Sequence, residues 1–254
     1  MSRRKRHLFV RRSHRYLGVI FGIQFFFWTA GGVYFSWSNI NHIRGEDIRS
    51  ADPAILPDSS TAAVADIMRH IKEKHVVDYV KSVQLVNVLH KQYFQVTYND
   101  GNRFITQLAD ARTGELRLPL SEKEAIAVAK SSLNRKAAIK DVTYLTRTNA
   151  HHEYRDKAMP AYAVTFAGNV NSTVYVSIEM GTVQSFRNNS WRFFDFLWML
   201  HTMDFKTRDN INNWLLRLIS GLGLLTIFSG FILFAISYKP AKRKFAGKKP
   251  DYTM

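Results

Sequence analysis

The sequence has no cysteine in its 254 residues. Disulfides, thiol catalysis and thiolate metal sites are therefore excluded. Any iron or haem would need histidine, methionine or carboxylate ligands. The chain also lacks H-E-x-x-H, G-x-S-x-G and a phosphate-binding glycine loop. Gly221 and Gly223 sit inside an apolar run, where they cannot cradle a phosphate. A flavin or nicotinamide site is not expected, so a reductase of this sequence would take its electrons from a partner.

Acidic residues are scarce at both ends. Residues 1–15 carry seven Arg or Lys and no acid, and residues 239–254 carry six against one Asp. The two tails supply +12 of the formal +16, which leaves +4 for everything between them. Each tail adjoins a run without charge: Tyr16 to Trp37 (YLGVIFGIQFFFWTAGGVYFSW) and Leu218 to Tyr238 (LISGLGLLTIFSGFILFAISY). A helix of either length reaches roughly 30 Å, the hydrocarbon thickness of a bilayer. The tails therefore read as a topology signal beside anionic lipid, and no nucleic-acid partner is expected. The positive-inside rule puts both termini in the cytoplasm of a bacterial inner membrane and the middle of the chain in the periplasm. Trp28, Tyr34, Trp37, Trp191, Trp198 and Trp214 include interfacial anchors. The first run is too long and too aromatic for a cleaved signal. Arg11-Arg12 is followed by Ser13-His14-Arg15 rather than by the apolar pair of a twin-arginine signal.

Between the runs one pattern occurs twice. DSSTAAVADIMRHIKEK opens with Asp and Ser cap candidates and places Ala63, Ile67, His70 and Ile71 on one helical face. KSVQLVNVLH, KQYFQVTYND and RFITQLAD then read as strands, with a turn at Asn99 to Asn102. In the second copy Ser121 and Glu124 have capping-box spacing. DVTYLT, AYAVTFAG, TVYVSIE and MGTVQSF follow as strands. Val96 falls on Val164 at an offset of 68, and Gly114 on Gly181 at 67. Both glycines are expected at positive φ. The expected class is α+β: tandem units of a helix on an antiparallel sheet, anchored by two transmembrane helices. The expected segments are a basic tail 1–15, a first membrane helix 16–38, a linker 39–56, repeats 57–118 and 119–187, an aromatic interfacial helix 188–213, a second membrane helix 214–238 and a basic tail 239–254.

The helix, the strands and the closing D-x-x-T-G-E-L of Asp110 to Leu116 resemble the PepSY domain. Arg12-Ser13-His14-Arg15-Tyr16-Leu17-Gly18 is similar to the R-x-H-R-x-x-G that opens the PepSY-associated transmembrane family. Leu200-His201, followed by LLRLISGLGLLTIFSGFILF, resembles that family's second block. The resemblance covers nearly the whole chain. It implies a periplasmic PepSY pair and, by analogy with ferric-siderophore reductases of the family, b haem in the membrane. Members usually carry three or four membrane helices. Two chains of the present kind would together make four, so a homodimer is expected.

The candidate haem ligands are His201, His14 and His42. His201 lies in the stretch WRFFDFLWMLHTMDF (Trp191 to Phe205) with Asp204 three residues on, the spacing of a carboxylate orienting an imidazole. The same stretch also reads as a helix flat in the interface with Phe194, Leu197 and Trp198 in lipid. His14 sits among Arg11, Arg12 and Arg15 and reads equally as a headgroup anchor. His14 and His42 are 28 residues apart, roughly 40 Å along a helix, so they cannot share an iron. That leaves His42 with His201 in one chain, or like histidines across a dimer. Gly18 and Gly22, with Thr226 and Gly230, have the spacing of close helix packing or of room for a flat cofactor. His151-His152-Glu153 reads as a solvated loop, and His70 and His75 face different ways. Two functions remain open: a haem-dependent electron-transfer module for periplasmic ferric iron, served by a redox partner, or a non-catalytic module that binds a periplasmic protein or peptide by strand addition.

Overall fold

The structure is a computed structural model that describes residues 3–51, 61–168 and 171–237, with side chains from Leu8 onward. It divides into two units, one from residues up to Ala30 and from Ile211 onward, the other from Gly31 to Asn210.

The first unit is made by α1 (Arg3–Trp37) as far as Ala30 and by α6 (Trp214–Ser237). Two segments are long and apolar enough to cross a membrane: Leu8–Trp37, with mean hydropathy 1.5, and Trp214–Ser237, with 2.2. α1 begins well before Tyr16, because Arg, Lys and Leu are good helix formers and no Gly or Pro interrupts the basic stretch. Its early residues meet late residues of α6, and its later ones meet earlier ones, so the helices run antiparallel. His14 lies beside Gly230, and Phe25 lies on Gly223. A Cβ on Gly223 would stand 2.6 Å from the Phe25 ring, so only glycine permits that approach. Gly18 and Gly22 have nothing within 4 Å of a Cβ position, so they are not the glycines that pack this pair. Val19, Ile20, Phe26, Phe231 and Phe234 point outward.

The second unit holds α2 (Ile40–Arg44), α3 (Val64–Lys74), α4 (Glu122–Ser131), α5 (Asn189–Thr202) and two antiparallel sheets. The first sheet has the order β1 (Tyr79–Val88), β2 (Lys91–Asn99), β3 (Phe104–Asp110). The second has the order β4 (Ile139–Leu145), β5 (Ala161–Phe166), β6 (Thr173–Ser177), β7 (Val183–Arg187). α3 starts at Val64, and Ala63 gives it no side-chain cap. The cap candidates Asp58, Ser59 and Ser60 lie outside the described residues. α4 has the full capping box of Ser121 and Glu124.

Ile67 and Ile71 of α3 pack on Val96, Tyr98 and Ala109. Val88, Tyr93 and Leu108 turn instead into a core shared with the second copy, beside Val128, Val164, Val174 and Val176. Alternating strand residues thus send the first sheet into two cores. The turn after β6 closes this contact. Gly181 has φ 69°, and a Cβ there would stand 2.8 Å from Val88 and 2.9 Å from Leu108. Gly114 occupies the matching turn with φ 73°, and its nearest neighbour would be at 3.5 Å.

One turn departs from its sequence signal. Leu89 and His90, read as strand, form the two-residue connection between Val88 and Lys91, at φ 49° and 68°. Asn-Gly is the usual choice there, because positive φ is costly with a side chain.

Gly181→Ala combines left-handed strain with a clash and should destabilise the full chain by about 2–4 kcal/mol, whereas Gly114→Ala should cost about 1–2 kcal/mol. Thermal unfolding followed by circular dichroism should rank the two variants in that order.

Candidate functional site

α5 forms because Asn188 caps it: the Asn188 side-chain oxygen accepts the Trp191 N–H at 2.7 Å. The helix ends at Thr202, and Met203 turns left-handed with φ 53°. The aromatic segment read as 188–213 is therefore a helix only over Asn189–Thr202. That turn takes Asp204 off the helical face of His201, so Asp204 does not orient the imidazole as its spacing suggested. Its carboxylate accepts from the backbone N–H groups of Lys206, Thr207 and Asn210 and from the Thr207 hydroxyl. Burial pushes the Asp204 carboxyl up, but these donors outweigh it and hold it far below the usual range. His201 lies edge-on to Phe35 at 5.7 Å and stacks on Trp198 at 6.3 Å. Phe35 also meets Phe194 at 4.9 Å. The more exposed aromatic residues of α5 are Phe193, edge-on to Tyr34 at 5.1 Å, and Phe196, rather than Phe194 and Trp198.

The other face of α5 is charged. The Asp195 side chain is only 4% exposed and is gripped by Arg155 at 2.8 Å and by Arg208. Arg155 also reaches the exposed Asp209 at 3.0 Å. One turn earlier, Arg192 forks onto Glu153 at 2.7 and 3.0 Å, and the Tyr175 hydroxyl donates to Glu153 at 2.7 Å. Arg187 donates to the Glu153 backbone carbonyl at 2.8 Å and lies 4.0 Å over the Trp191 ring. Burial raises the Glu153 carboxyl, but Arg192, Tyr175 and Arg187 more than offset this and hold it below its ordinary value. Burial pulls the Arg187 guanidinium down, and Glu153 only partly restores it.

This lattice corrects the reading of residues 147–157 as a solvated loop. His151 is exposed, but Glu153 joins the lattice, Tyr154 is fully buried, and His152 Nδ1 accepts the Tyr154 N–H at 3.0 Å. Sequence reasoning missed Arg155, Asp195 and Arg208 because the partners are 40 and 13 residues apart. An aspartate at the centre of so aromatic a helix was the one available signal.

The three candidate histidines occupy different settings. His42 Nδ1 pairs with Asp47 at 2.9 Å, and the ring is half exposed. The His42 carbonyl accepts from Asn188 at 3.3 Å, which places His42 at the start of α5. His201 is at the end of that helix, roughly 20 Å further along its axis. An iron with two axial imidazoles needs both nitrogens about 2 Å away, so His42 and His201 of one chain do not share a haem. His14 lies in the first unit, with Nδ1 at 2.7 Å from the Ser229 Oγ and the ring against Gly230. Among the described residues no group of three or more His, Asp or Glu is placed to hold a metal ion.

These features define a class: a mixed α+β domain with two small antiparallel sheets, joined to two apolar helices of membrane-crossing length. No family model, curated protein or solved structure matches the chain.

Asp195→Ala leaves two partly buried guanidinium groups facing each other, one of them still paired with Asp209, and should cost about 2–4 kcal/mol. Asp209→Ala, on a carboxylate that is 59% exposed, should cost under about 1 kcal/mol. Urea unfolding of the two variants measures the difference. Glu153 also implies a pH response. Its folded pKa lies below the reference 4.5, so its contribution is complete above that pH and is lost as pH falls through the folded value. Wild type should lose thermal stability on acidification below about pH 4.5, and Glu153→Gln should show a smaller loss across the same window.

Proposed function

We propose that this protein is a membrane-anchored binding module that holds an extended segment of another polypeptide along the outer strand of its first sheet. The carrying observation is β1. It lies at the outside of the order β1-β2-β3, and Tyr79, Val80 and Val83 on it are exposed. Its register shifts between Val80 and Ser82, leaving Ser82 to Val88 as a regular ladder against β2. Among the described residues no strand pairs with the outer side of β1, and an edge strand of this kind offers backbone donors and acceptors while its exposed apolar side chains select the incoming strand. Lys81, 4.4 Å over the Phe104 ring, confines addition to the far side of the bulge. The resemblance to PepSY domains, first regarded as protease-inhibitory, supports a secreted protein as the source of the segment. The same reading places the domain in the periplasm and both basic tails in the cytoplasm of a bacterial inner membrane.

A second reading, the electron-transfer module for periplasmic ferric iron, is favoured by one contact. The Ser229 hydroxyl engages Nδ1 of His14, as an orienting partner does for a ligand histidine that coordinates through Nε2. One turn along α1, Gly18 has open space at its Cβ position. Each chain offers one such imidazole, so b haem would be held by His14 of two chains in a homodimer. When bound, haem supplies one-electron transfer, and His14 with Ser229 sets its place. His201, stacked on Trp198, and His42, paired with Asp47, are then structural.

Purification of the full chain from haem-replete membranes separates the two readings. The binding module predicts a colourless protein, with peptides selected against it protecting the β1 amides from hydrogen exchange and losing that protection in Val83→Pro. A reducible b-type Soret band that disappears in His14→Ala overturns this in favour of the redox reading.

A further inference from the structure

A hollow of about 380 Å³ lies at the end of β1, on the seam between the two copies. It is lined by Val86 and Asn87 of β1, by Leu89 and His90 of the turn that follows, and by Arg49 and Val183. Val86 and Asn87 are consecutive, so their side chains leave opposite faces of the strand. Both border the same hollow, and no residue of β2 does. The hollow therefore sits along the outer side of β1, on the part beyond the bulge where the ladder is regular. A volume of this order accepts a large side chain or a small ligand.

Its walls are mixed. Val86, Leu89 and Val183 pack on the main core but keep part of their surface, so they give the hollow an apolar floor. Arg49 is partly exposed and His90 is exposed, and no acidic residue among the described ones lines the hollow. The turn supplies a second sign. Leu89 and His90 stand at φ 49° and 68°, where glycine or asparagine is the usual choice. The strain at Leu89 is offset by its packing. His90 has no hydrogen-bond or ion-pair partner among the described residues, so no contact among them offsets its strain. A strained side chain held beside a hollow points to a partner from outside the chain.

We propose that this hollow selects the segment that adds to β1. An apolar residue of the segment seats on Val86, Leu89 and Val183. A neighbouring carboxylate, from an acidic side chain or from the segment's own C-terminus, accepts hydrogen bonds from Arg49 and His90. Backbone pairing along β1 gives the affinity, and the hollow gives the sequence preference. This selection rests on strand addition to β1 and names the partner's chemistry: a polypeptide with an apolar residue beside a carboxylate.

The test uses the full chain in neutral phosphatidylcholine nanodiscs and a bead library of random ten-residue peptides, made once with a free C-terminus and once as the amide. Hits are the peptides that protect the β1 amides from hydrogen exchange. Each hit should carry an apolar residue beside a carboxylate. Hits confined to the free-acid library mean that the C-terminus supplies it, and hits in both mean that a side chain does. Replacing that carboxylate by a carboxamide should weaken binding to wild type at least tenfold, and to Arg49→Gln with His90→Gln less than about twofold. His90→Gly should weaken the acid peptides at least threefold yet raise the melting temperature, because glycine adopts positive φ without strain. Hits that share no carboxylate, or that bind the double variant as tightly as wild type, overturn the carboxylate pocket and leave strand addition standing. Absence of any peptide that protects β1 overturns strand addition itself, and the pocket with it.

Discussion

One carboxylate, that of Asp195, is buried between two guanidinium groups that arrive from opposite directions along the chain. Arg155 comes from the connection between β4 and β5, and Arg208 from the loop after α5. Buried ion pairs contribute little net stability, because desolvation offsets most of the attraction. Their geometric demand is strict, however, since a displaced partner leaves a charge unpaired in a poorly solvated place. Asp195 therefore fixes the rotation of α5 about its axis, and Glu153 with Arg192 repeats the constraint one turn earlier. With that rotation fixed, Phe194, Trp198 and His201 meet Phe35, Phe193 meets Tyr34, and Phe196 is about half exposed.

Beneath this helix the two copies use one plan with different endings. The cross-strand pair Thr97–Thr106 recurs as Thr165–Thr173, each 3.1 Å between hydroxyls. A register shift follows Val80 in β1 and Ile139 in β4, and each brackets a lysine. After the glycine turn the second copy adds β7 as a full strand, whereas the first makes only the bridge Ala109–Leu116. The extra strand leads directly into Asn188 and α5. The first copy has no such duty and keeps a three-stranded sheet with β1 at its border.

What the sequence disclosed follows from the range over which its signals act. Alternation in KQYFQVTYND, the Ser121–Glu124 box and the glycines at 114 and 181 are local, and each matches its element. The charge-free runs stand in helices of the expected kind. The Leu89–His90 turn was hidden because its residues carry no turn chemistry, and its conformation is imposed by the register of the flanking strands. The site was harder to read. The spacing of His201 and Asp204 suggested one helical face, yet a single left-handed residue, Met203, separates them. The joining of Glu153 to Arg192 spans 39 residues, a distance at which no pattern in one sequence speaks.

The outward phenylalanines give α5 an inverted character. Its domain-facing side carries Arg192, Asp195 and Thr202, and its outer side carries Phe193 and Phe196, about half exposed, with Phe193 edge-on to Tyr34 at 5.1 Å. Burying each phenylalanine fully would gain less than about 1.5–3 kcal/mol, which does not outweigh turning Asp195 and Glu153 away from their arginines. The arrangement is favourable where the outer medium is itself apolar, as at the headgroup boundary of a bilayer. Aromatic residues also stand at the ends of the apolar helices: Tyr34 and Phe35 near the end of the first and Trp214 at the start of the second. Charge is therefore spent inside this domain and aromatic surface outside it, because the lattice on Asp195 holds the charged side of α5 inward.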